Sequence, residues 1–275
     1  MKDNDTPDFA IFIASSDNTA DVFERVYPAY AKHWNAPGVP IFVGHNTEAR
    51  AGRSKEVARG RGAGLPDFTP VLAEPSGWRS ELREQLSKVP HERVILMLDD
   101  FLLLGPTDVA GLREVARRSA RRDLPYVCLT VAHRPYLPRL LLQLWDGLRG
   151  RVISRVPRSM PYYATLQAAL WKKSHLMRML ERPGSIWEFE HDALPGQDHY
   201  IYTGPRLIDY LHVVEKGRWL PNAEAVFNRS GVAFDPGTRE THPEAARYLI
   251  LYNMIKYHVI GYAFVRIKRR LTGKI

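Results

Sequence analysis

The chain has 275 residues, which is enough to bury a full-sized core in one large domain or two small ones. Its 45% apolar and 25% charged composition is that of an ordinary globular protein, and its single cysteine, Cys128, excludes an intramolecular disulfide. The formal net charge of +9 is spread over several stretches without zinc-finger spacing or an aromatic RNA-binding strand, so we expect no nucleic-acid partner.

The first residues predict the opening of an α/β unit. An acidic start is followed by the apolar segment FAIFIA, which is too short for a signal peptide or a membrane span. Together with the lone cysteine, this favours a cytoplasmic protein. Residues 9–18 predict a strand that runs into a turn of small polar residues, and residues 21–34 have helical spacing.

The next segments continue this alternation. Residues 40–46 predict a second short strand. The glycine-rich stretch 60–64 is interpreted as a flexible loop rather than a phosphate cradle, because no strand precedes it and no Walker lysine follows it. Residues 75–90 predict a helix with Ser76 or Ser80 as its cap.

The run VILMLDDFLLL, residues 94–104, places two adjacent carboxylates in an otherwise apolar segment. The run predicts a buried strand of a parallel sheet, with Asp99 and Asp100 near the rim where open α/β sheets bind ligands. Because a lone carboxylate is expensive to desolvate, the pair indicates a cation, an arginine partner or a raised pKa. The alternative is a strand-end pair bonded to backbone N–H groups or to an arginine.

The second half of the chain is less regular. We predict a helix at 108–123, a strand at 126–136 with Cys128 as a small buried side chain, and a strand at 166–171 followed by a helix. The alternation through residue 131 favours an α/β fold with a mostly parallel sheet flanked by helices. Residues 244–275 look helical and end in a basic run.

A second acidic cluster lies in the sequence WEFE, which contains Glu188 and Glu190. A carboxylate packed against Trp187 or Phe189 would be desolvated, its pKa would rise, and it could accept a proton near neutral pH. The alternative is a helix-capping or salt-bridged loop. Four further residues lack the fixed spacing of a zinc site and are interpreted as loop residues: His191, Asp192, Asp198 and His199.

The order of these segments resembles the bacterial glycosyltransferases of the GT-A fold, the nucleotide-sugar-dependent class of polysaccharide and lipopolysaccharide biosynthesis. The matching pieces span residues 9 to about 230 and are the first strand with its SSD turn, Gly77 and Trp78 before a helix, LDDF, LQAALWKK, IWEFE and VVEKGRWLP. The resemblance implies a GT-A-like, Rossmann-type catalytic domain at 1–240 and a helical basic extension at 241–275.

The resemblance also implies roles for the two acidic clusters. LDDF occupies the place of the DxD motif, which binds the nucleotide-sugar diphosphate through Mn²⁺ or Mg²⁺, so Asp99 and Asp100 are implied as metal and donor ligands. The two acids are adjacent here, and adjacent side chains of a strand point to opposite faces, so one of them is expected to reach the metal. The WEFE loop matches the position of the acidic base of inverting members, which favours Glu190 over Glu188.

The remaining implied donor-binding residues are Ser15, Ser16, Asp17, Trp78, Gln167, Lys216 and Arg218. Lys216 and Arg218 would neutralise the leaving diphosphate, although KGRW is equally compatible with a plain surface turn. Gln167 and Trp171 either line the sugar or acceptor pocket or are ordinary strand residues.

The implied function is transfer of a sugar from a nucleotide-sugar donor to a glycan or lipid-linked acceptor by an inverting single displacement. The basic residues of 266–274 are candidates for peripheral contact with the anionic inner face of the cytoplasmic membrane. One alternative is a nucleotidyltransferase, which is disfavoured because no glycine-rich triphosphate loop follows the first strand. Another is a non-catalytic basic protein that binds nucleic acid or an anionic polysaccharide, which leaves Asp99 and Asp100 unexplained.

Overall fold

The computed structural model describes residues 9–60, 66–130, 152–158, 163–190, 194 and 196–244. Its strands are β1 (Ala10–Ala14), β2 (Ile41–His45), β3 (Thr69–Leu72), β4 (Arg93–Leu98), β5 (Phe101–Leu103), β6 (Tyr126–Cys128), β7 (Ile153–Arg155), β8 (Ala169–Lys172), β9 (Tyr200–Tyr202), β10 (Tyr210–His212), β11 (Val214–Glu215) and β12 (Arg218–Trp219). Its helices are α1 (Ala20–Val26), α2 (Pro28–His33), α3 (Glu48–Gly60), α4 (Trp78–Ser87), α5 (Val109–Arg121), α6 (Lys173–Leu180), α7 (Ile186–Phe189) and α8 (Ala223–Ser230).

The central sheet has eight strands in the order β3-β2-β1-β4-β8-β6-β9-β7. The first four pair in parallel, β8 lies antiparallel between β4 and β6, β9 is parallel to β6, and β7 runs antiparallel at the edge. Six of the eight strands therefore point in one direction, which confirms the α/β class and the mostly parallel sheet.

The sheet is buried on both faces. Along β1, Ile11 and Ile13 belong to one hydrophobic cluster and Ala10 and Phe12 to another, because successive side chains of a strand alternate between the two faces. Strands covered on both faces have near-continuous apolar sequences, which explains why β1 and β4 were recognisable in the sequence.

Two segments of the sequence form different helices from those expected. The helical pattern at 21–34 is divided into α1 and α2, with Pro28 at the first position of α2, because proline has no N–H to continue the preceding helix. Helix α3 was not predicted; it carries charge around most of its surface and so lacks a clear apolar stripe. The glycine-rich stretch beyond Gly60, residues 61–64, lies outside the described residues.

The predicted strand at 94–104 is wrong as a single element. It is divided between β4 and β5, with Asp99 and Asp100 in a turn, and β5 pairs antiparallel with β10 in a separate two-stranded sheet. The expected cap of α4 is also different, because Gly77 takes that position with φ of 96° and Ser80 lies inside the helix. Of the strand predicted at 126–136, residues 126–128 form β6, and residues from 131 lie outside the described part.

The C-terminal part is described as far as Glu244. Thr241 forms a bridge with Trp219, and the helical basic tail predicted for the end of the chain, with its membrane-contact candidates at 266–274, lies outside the described residues. Within the described ranges, every helix is too short or too polar to cross a membrane.

Candidate active site

Asp99 and Asp100 occupy the turn directly after β4, at the carboxyl edge of the central sheet. The parallel strands β1 and β2 end at the same edge, so the turns that follow them lie beside the two acids. This is the edge where open α/β sheets bind their ligands. The position predicted for the acidic pair at the rim of the sheet is therefore observed, although the pair lies in a turn rather than in a strand.

Asp99 is partly exposed, and desolvation by the surrounding chain raises its pKa to about 7. The charge of Asp100 raises the pKa further, whereas hydrogen bonds from Thr19 and Ser15 and the charge of Arg239 lower it. A carboxyl group with a pKa near 7 is divided between its two protonation states at neutral pH. Positive charge brought to this turn would stabilise the ionised form.

Asp100 is 8% exposed and is held by a residue from a distant part of the sequence. Its Oδ2 atom lies 3.0 Å from Nδ1 of His212, which is 112 residues later in the chain. The ladder between β5 and β10 produces this contact by pairing His212 with Phe101, the residue after Asp100. Val213 also donates its backbone N–H to the carbonyl oxygen of Asp100 at 3.2 Å.

His212 connects Asp100 to Gln167. Nε2 of His212 lies 3.0 Å from the side-chain nitrogen of Gln167, and the hydroxyl of Tyr210 donates to the side-chain oxygen of Gln167 at 2.9 Å. Nε2 of His212 also lies 3.2 Å from the side-chain oxygen of Gln167, so the Gln167 amide contacts this nitrogen with both of its polar atoms. Because a carboxylate oxygen accepts hydrogen bonds, the Nδ1 N–H of the imidazole donates to Asp100. Both ring nitrogens are thereby engaged, so His212 positions Asp100 rather than serving as a free base.

The second acidic cluster reaches the same edge through Glu190. Its Oε1 atom accepts hydrogen bonds from the backbone N–H of Leu166 at 2.9 Å and from the hydroxyl of Thr165 at 3.1 Å. Thr165 Oγ1 in turn accepts from the backbone N–H of Gln167 at 3.2 Å. Because β8 runs antiparallel to β4, the segment that precedes β8 lies at the carboxyl edge of β4. The structure therefore attaches Glu190 to the segment that carries Gln167.

Glu188 has a different environment from Glu190. It forms a capping box at the start of α7, where its Oε2 accepts from the backbone N–H of Ser185 at 2.7 Å and from the Ser185 hydroxyl at 2.9 Å. These hydrogen bonds hold the pKa of the exposed Glu188 carboxyl below its usual value. The arrangement corresponds to the helix-capping alternative considered for WEFE.

The turn after β1 is fastened to the turn after β2 by Asp17. Its Oδ1 accepts from the backbone N–H of Asn46 at 2.8 Å, and its Oδ2 accepts from the hydroxyl of Thr47 at 2.6 Å. Burial acts to raise the pKa of Asp17, but these hydrogen bonds outweigh it and lower the pKa. Ser15 and Ser16 lie in the same turn, with their hydroxyls 3.4 and 3.3 Å from the Thr19 hydroxyl.

Lys216 and Arg218 lie in the hairpin that joins β11 to β12. Lys216 and Gly217 have positive φ angles of 48° and 77°, as a type I′ turn requires. Lys216 is exposed, and Arg218 forms an ion pair with Glu240 at 2.9 Å.

Arg239 connects this hairpin to the segment after β1. It donates to the carbonyl oxygen of Gly217 at 2.6 Å and to that of Asn18 at 3.2 Å, and it forms an ion pair with Asp21. Because Asn18 follows β1 at the carboxyl edge of the sheet, Arg239 places the hairpin on the side of the molecule that carries the acidic turn, where its charge lowers the pKa of Asp99.

The two tryptophans singled out in the sequence differ in burial. Trp171 is fully buried in β8, where it packs against Tyr126 with ring centroids 4.4 Å apart, so it is a core residue of the strand. Trp78 is the first residue of α4, is partly exposed, and lies edge-on to Phe189 at 5.4 Å.

Several residues of the site carried little signal in the sequence. His212 and Tyr210 lie in a short apolar stretch, and Arg239 follows an ordinary turn; their roles depend on contacts with residues far away in the chain. A polar residue within the apolar stretch YLHVV was the one available sign that His212 has a partner.

The acidic turn suits a hard divalent cation. Asp99 and Asp100 offer carboxylate oxygens from adjacent positions, and the mutual repulsion that raises the pKa of Asp99 would be relieved by a bound cation. Among the described residues there is no group of three or more His, Cys, Asp or Glu side chains placed to hold a metal. The further ligands would therefore be water and substrate phosphate, as is common for Mg²⁺.

No protein-family model and no curated protein sequence matches the chain. Similar solved structures include the mannosyltransferase PcManGT from Pyrobaculum calidifontis in complex with GDP-Man and Mn²⁺, with 14% identity, 98% of this chain and 88% of that chain covered, and a TM-score of 0.49. Residues 1–349 of TarS from S. aureus show 10% identity over 74% of this chain, with a TM-score of 0.45, and this chain spans 59% of their length.

A nucleotidyltransferase is also among the similar structures. CMP:2-keto-3-deoxy-manno-octonic acid synthetase in complex with CTP shows 12% identity, covers 70% of this chain and 88% of its own, and has a TM-score of 0.40. These similar structures thus include glycosyltransferases and a nucleotidyltransferase. Their TM-scores all lie below 0.5.

Proposed function

We propose that this chain is a glycosyltransferase that moves a sugar from a nucleotide-sugar donor to a glycan or lipid-linked acceptor. The observation that carries the proposal is the convergence of two acidic elements at one sheet edge. Asp99 and Asp100 follow β4, and Glu190 is bound to the segment 165–167 that contacts Asp100 through His212. The arrangement supports the proposal because it would provide a diphosphate-binding pair and a separate carboxylate base, the combination that suits an inverting sugar transfer.

The proposed reaction is a single displacement with inversion. Glu190 accepts the proton of an acceptor hydroxyl, the hydroxyl oxygen forms a bond to the anomeric carbon, and the bond between that carbon and the diphosphate oxygen breaks. Its electron pair leaves with the nucleoside diphosphate. Both hydrogen bonds to Glu190 fall on Oε1, so we assign proton transfer to Oε2.

The other residues bind and orient the donor. Asp99 and Asp100 would hold Mn²⁺ or Mg²⁺, which neutralises the charge that develops on the leaving diphosphate. His212 and Gln167 keep the Asp100 carboxylate in one orientation. The turn Ser15–Asp17 would receive the nucleoside, and the hairpin with Lys216 and Arg218 would lie over the diphosphate.

Thermal-shift screening with UDP-, GDP-, CMP- and dTDP-sugars, each with and without Mn²⁺, tests donor binding. A ligand that binds the folded state alone raises the melting temperature, so we expect at least one donor to do so, with a larger shift when Mn²⁺ is present. No shift with any donor would contradict the proposal.

Donor turnover in Asp100→Asn, Glu190→Gln and Glu188→Gln then tests the roles of the acids. We expect the first two variants to lose at least about a hundredfold in rate. Glu188→Gln is the matched control and is expected to stay within about threefold, because its carboxylate caps α7. Parental activity in folded Glu190→Gln would exclude Glu190 as the base. Release of pyrophosphate from a nucleoside triphosphate and a sugar would instead indicate a nucleotidyltransferase.

A further inference from the structure

Trp78 presents a partly exposed aromatic ring at the carboxyl edge of the sheet. Among the tryptophans whose burial the structure describes, Trp34, Trp171 and Trp219 are buried in the core, whereas Trp78 is not. A partly exposed aromatic ring at the ligand-binding edge of an α/β sheet is placed where a ligand can cover it.

The start of α4 is held in place on one side by polar contacts. Oε1 of Glu81 accepts from the backbone N–H groups of Ser76 at 3.1 Å and Gly77 at 2.9 Å, and Oε2 accepts from the side chain of Asn46 at 3.0 Å. Asn46 also donates its backbone N–H to Asp17, so Trp78 is connected to the turn after β1.

On the other side, α4 is held by the loop that leads to Glu190. Arg79 is 5% exposed and donates to the carbonyl oxygens of Gly184 at 2.9 Å and Ser185 at 3.3 Å. Its guanidinium also lies 5.4 Å from the centre of the Phe189 ring, against which Trp78 packs. Because the start of α4 is held on both sides and the Trp78 ring packs against Phe189, the ring is ordered before a ligand arrives, which lowers the entropic cost of binding.

Trp78 is connected to the proposed base through Phe189, against which its ring packs. Glu190 follows Phe189 directly and is partly exposed. A pyranose ring has an apolar face of C–H groups and a rim of hydroxyls, so it is complementary to an aromatic face beside a carboxylate. The diphosphate of the donor is assigned to Asp99 and Asp100, and the sugar whose hydroxyl Glu190 deprotonates is the acceptor.

We propose that Trp78 is the platform on which the acceptor stacks, and that the acceptor therefore ends in a pyranose ring. This inference rests on the proposed transferase function and extends it from the donor to the class of acceptor. It also moves Trp78 from the donor-binding set implied by the sequence to the acceptor side of the site.

Saturation-transfer NMR with the methyl α- and β-pyranosides of glucose, galactose, mannose and N-acetylglucosamine tests the platform, with UDP and GDP as donor-side probes. We expect at least one pyranoside to bind the parent, with the strongest saturation on the C–H protons of one ring face. Trp78→Ala should lose this signal, Trp78→Phe should keep part of it, and nucleotide binding should be unchanged in both. Met177→Ala is the matched control, because Met177 packs against the same hydrophobic cluster as Trp78.

The outcomes separate this inference from the function on which it rests. Pyranoside binding that survives in Trp78→Ala, or the absence of any pyranoside signal in a parent protein that binds nucleotide, would overturn the platform and leave the transferase standing. Loss of nucleotide binding in folded Trp78→Ala would assign the ring to the donor instead. A parent that binds neither nucleotide nor pyranoside would overturn both.

Discussion

Gln167 lies at the centre of the hydrogen-bond network that orients the Asp100 carboxylate. Its side-chain oxygen accepts from Tyr210, its side-chain amide contacts Nε2 of His212, and its backbone N–H donates to Thr165. The hydroxyl of Tyr210 also accepts from the backbone N–H of Ala168 at 2.9 Å, directly before β8. One buried phenol therefore holds both the Gln167 side chain and the start of β8. The orientation of Asp100 thus depends on groups that do not touch it.

Replacement of Tyr210 by phenylalanine tests the contribution of this hydrogen-bond network to stability. Loss of the hydroxyl leaves the Ala168 N–H and the Gln167 oxygen without that partner in a buried site, which should lower the free energy of unfolding by about 1–3 kcal/mol. Tyr30→Phe is the control, because Tyr30 is also buried but its hydroxyl contacts the sulfur of Met97 at 3.8 Å, a weaker interaction. Equal losses of unfolding free energy for both variants in urea would show that the hydrogen-bond network does not contribute to stability.

We expect His212 to affect donor turnover through the N–H group that it donates to the Asp100 carboxylate. In His212→Ala the Asp100 carboxylate loses this donor, so we expect at least about a tenfold loss of donor turnover. His212→Asn keeps an N–H donor near the same position and should recover part of the rate. If alanine and asparagine gave the same turnover in folded protein, the hydrogen bond to Asp100 would not be the reason for the loss.

At the scale of elements, the hairpin of β11 and β12 combines turn geometry with the charge proposed to face the donor. Lys216 occupies a left-handed conformation with φ of 48°, which asparagine adopts more readily than lysine. Lys216→Asn should therefore stabilise the fold by about 0.5–1 kcal/mol, because asparagine followed by glycine is the preferred sequence of a type I′ turn.

The same change should weaken nucleotide-sugar binding, because it removes one positive charge from the hairpin. The weakening should be largest at low ionic strength and should shrink as salt screens the charge. Titration calorimetry at two salt concentrations and thermal unfolding check the two effects separately. A stabilised variant with unchanged affinity at low salt would remove Lys216 from the donor site.

The strands that were predictable from the sequence are those whose own residues determine them. β1, β2 and β4 are continuous apolar runs because the sheet is covered on both faces, and their burial requires no information about distant residues. The break between β4 and β5 was not predictable in this way. It depends on β10, more than 100 residues later, which removes β5 from the central sheet by pairing with it.

The candidate site likewise combines features that follow from local sequence with contacts that depend on distant residues. The position of Asp99 and Asp100 at the sheet edge follows from local sequence, and so does the capping box of Glu188, which the pattern Ser185 to Glu188 encodes. The contacts of Asp100 with His212 and of Glu190 with Leu166 join segments separated by 112 and 24 residues. No periodicity or spacing within either segment carries that information.

At the scale of the whole molecule, three buried histidines act against stability in acid, and they outnumber Asp99, whose raised pKa acts in the opposite direction. Burial lowers the pKa of His45 to about 4, that of His175 to about 3 and that of His199 to about 4. His175 and His199 share a hydrogen bond between their Nε2 atoms at 3.0 Å, so one ring donates and the other accepts. With pKa values this far below 7, both rings are neutral in the folded protein at neutral pH.

These groups should make the protein lose stability in mild acid. Their pKa values in the unfolded chain are near 6.5, so below that pH the unfolded state binds more protons than the folded state. Stability is then complete above about pH 6.5 and falls as the pH decreases toward 4. Urea unfolding at pH 7.5, 6.5, 5.5 and 4.5 checks this, and a free energy that stays constant across the series would contradict it.

His45 permits a sharper version of the same measurement. Both of its ring nitrogens are buried and have no hydrogen-bond partner among the described residues. His45→Leu removes two unpartnered polar atoms and one titrating group, so it should raise the free energy of unfolding at pH 6 and reduce its slope between pH 6.5 and 4.5. An unchanged slope would remove His45 from the groups that control acid stability.

The distance in sequence between Asp100 and His212 has a consequence for protein synthesis. Asp100 leaves the ribosome 112 residues before the imidazole that holds it, which corresponds to roughly 6–22 s at elongation rates of about 5–20 residues per second. During that interval the nascent chain can pair β1, β2 and β4, but the acidic turn lacks its partner. We expect the nascent chain to acquire donor affinity after β10 has emerged, so ribosome-bound chains that end before residue 210 should fold in part and bind no nucleotide.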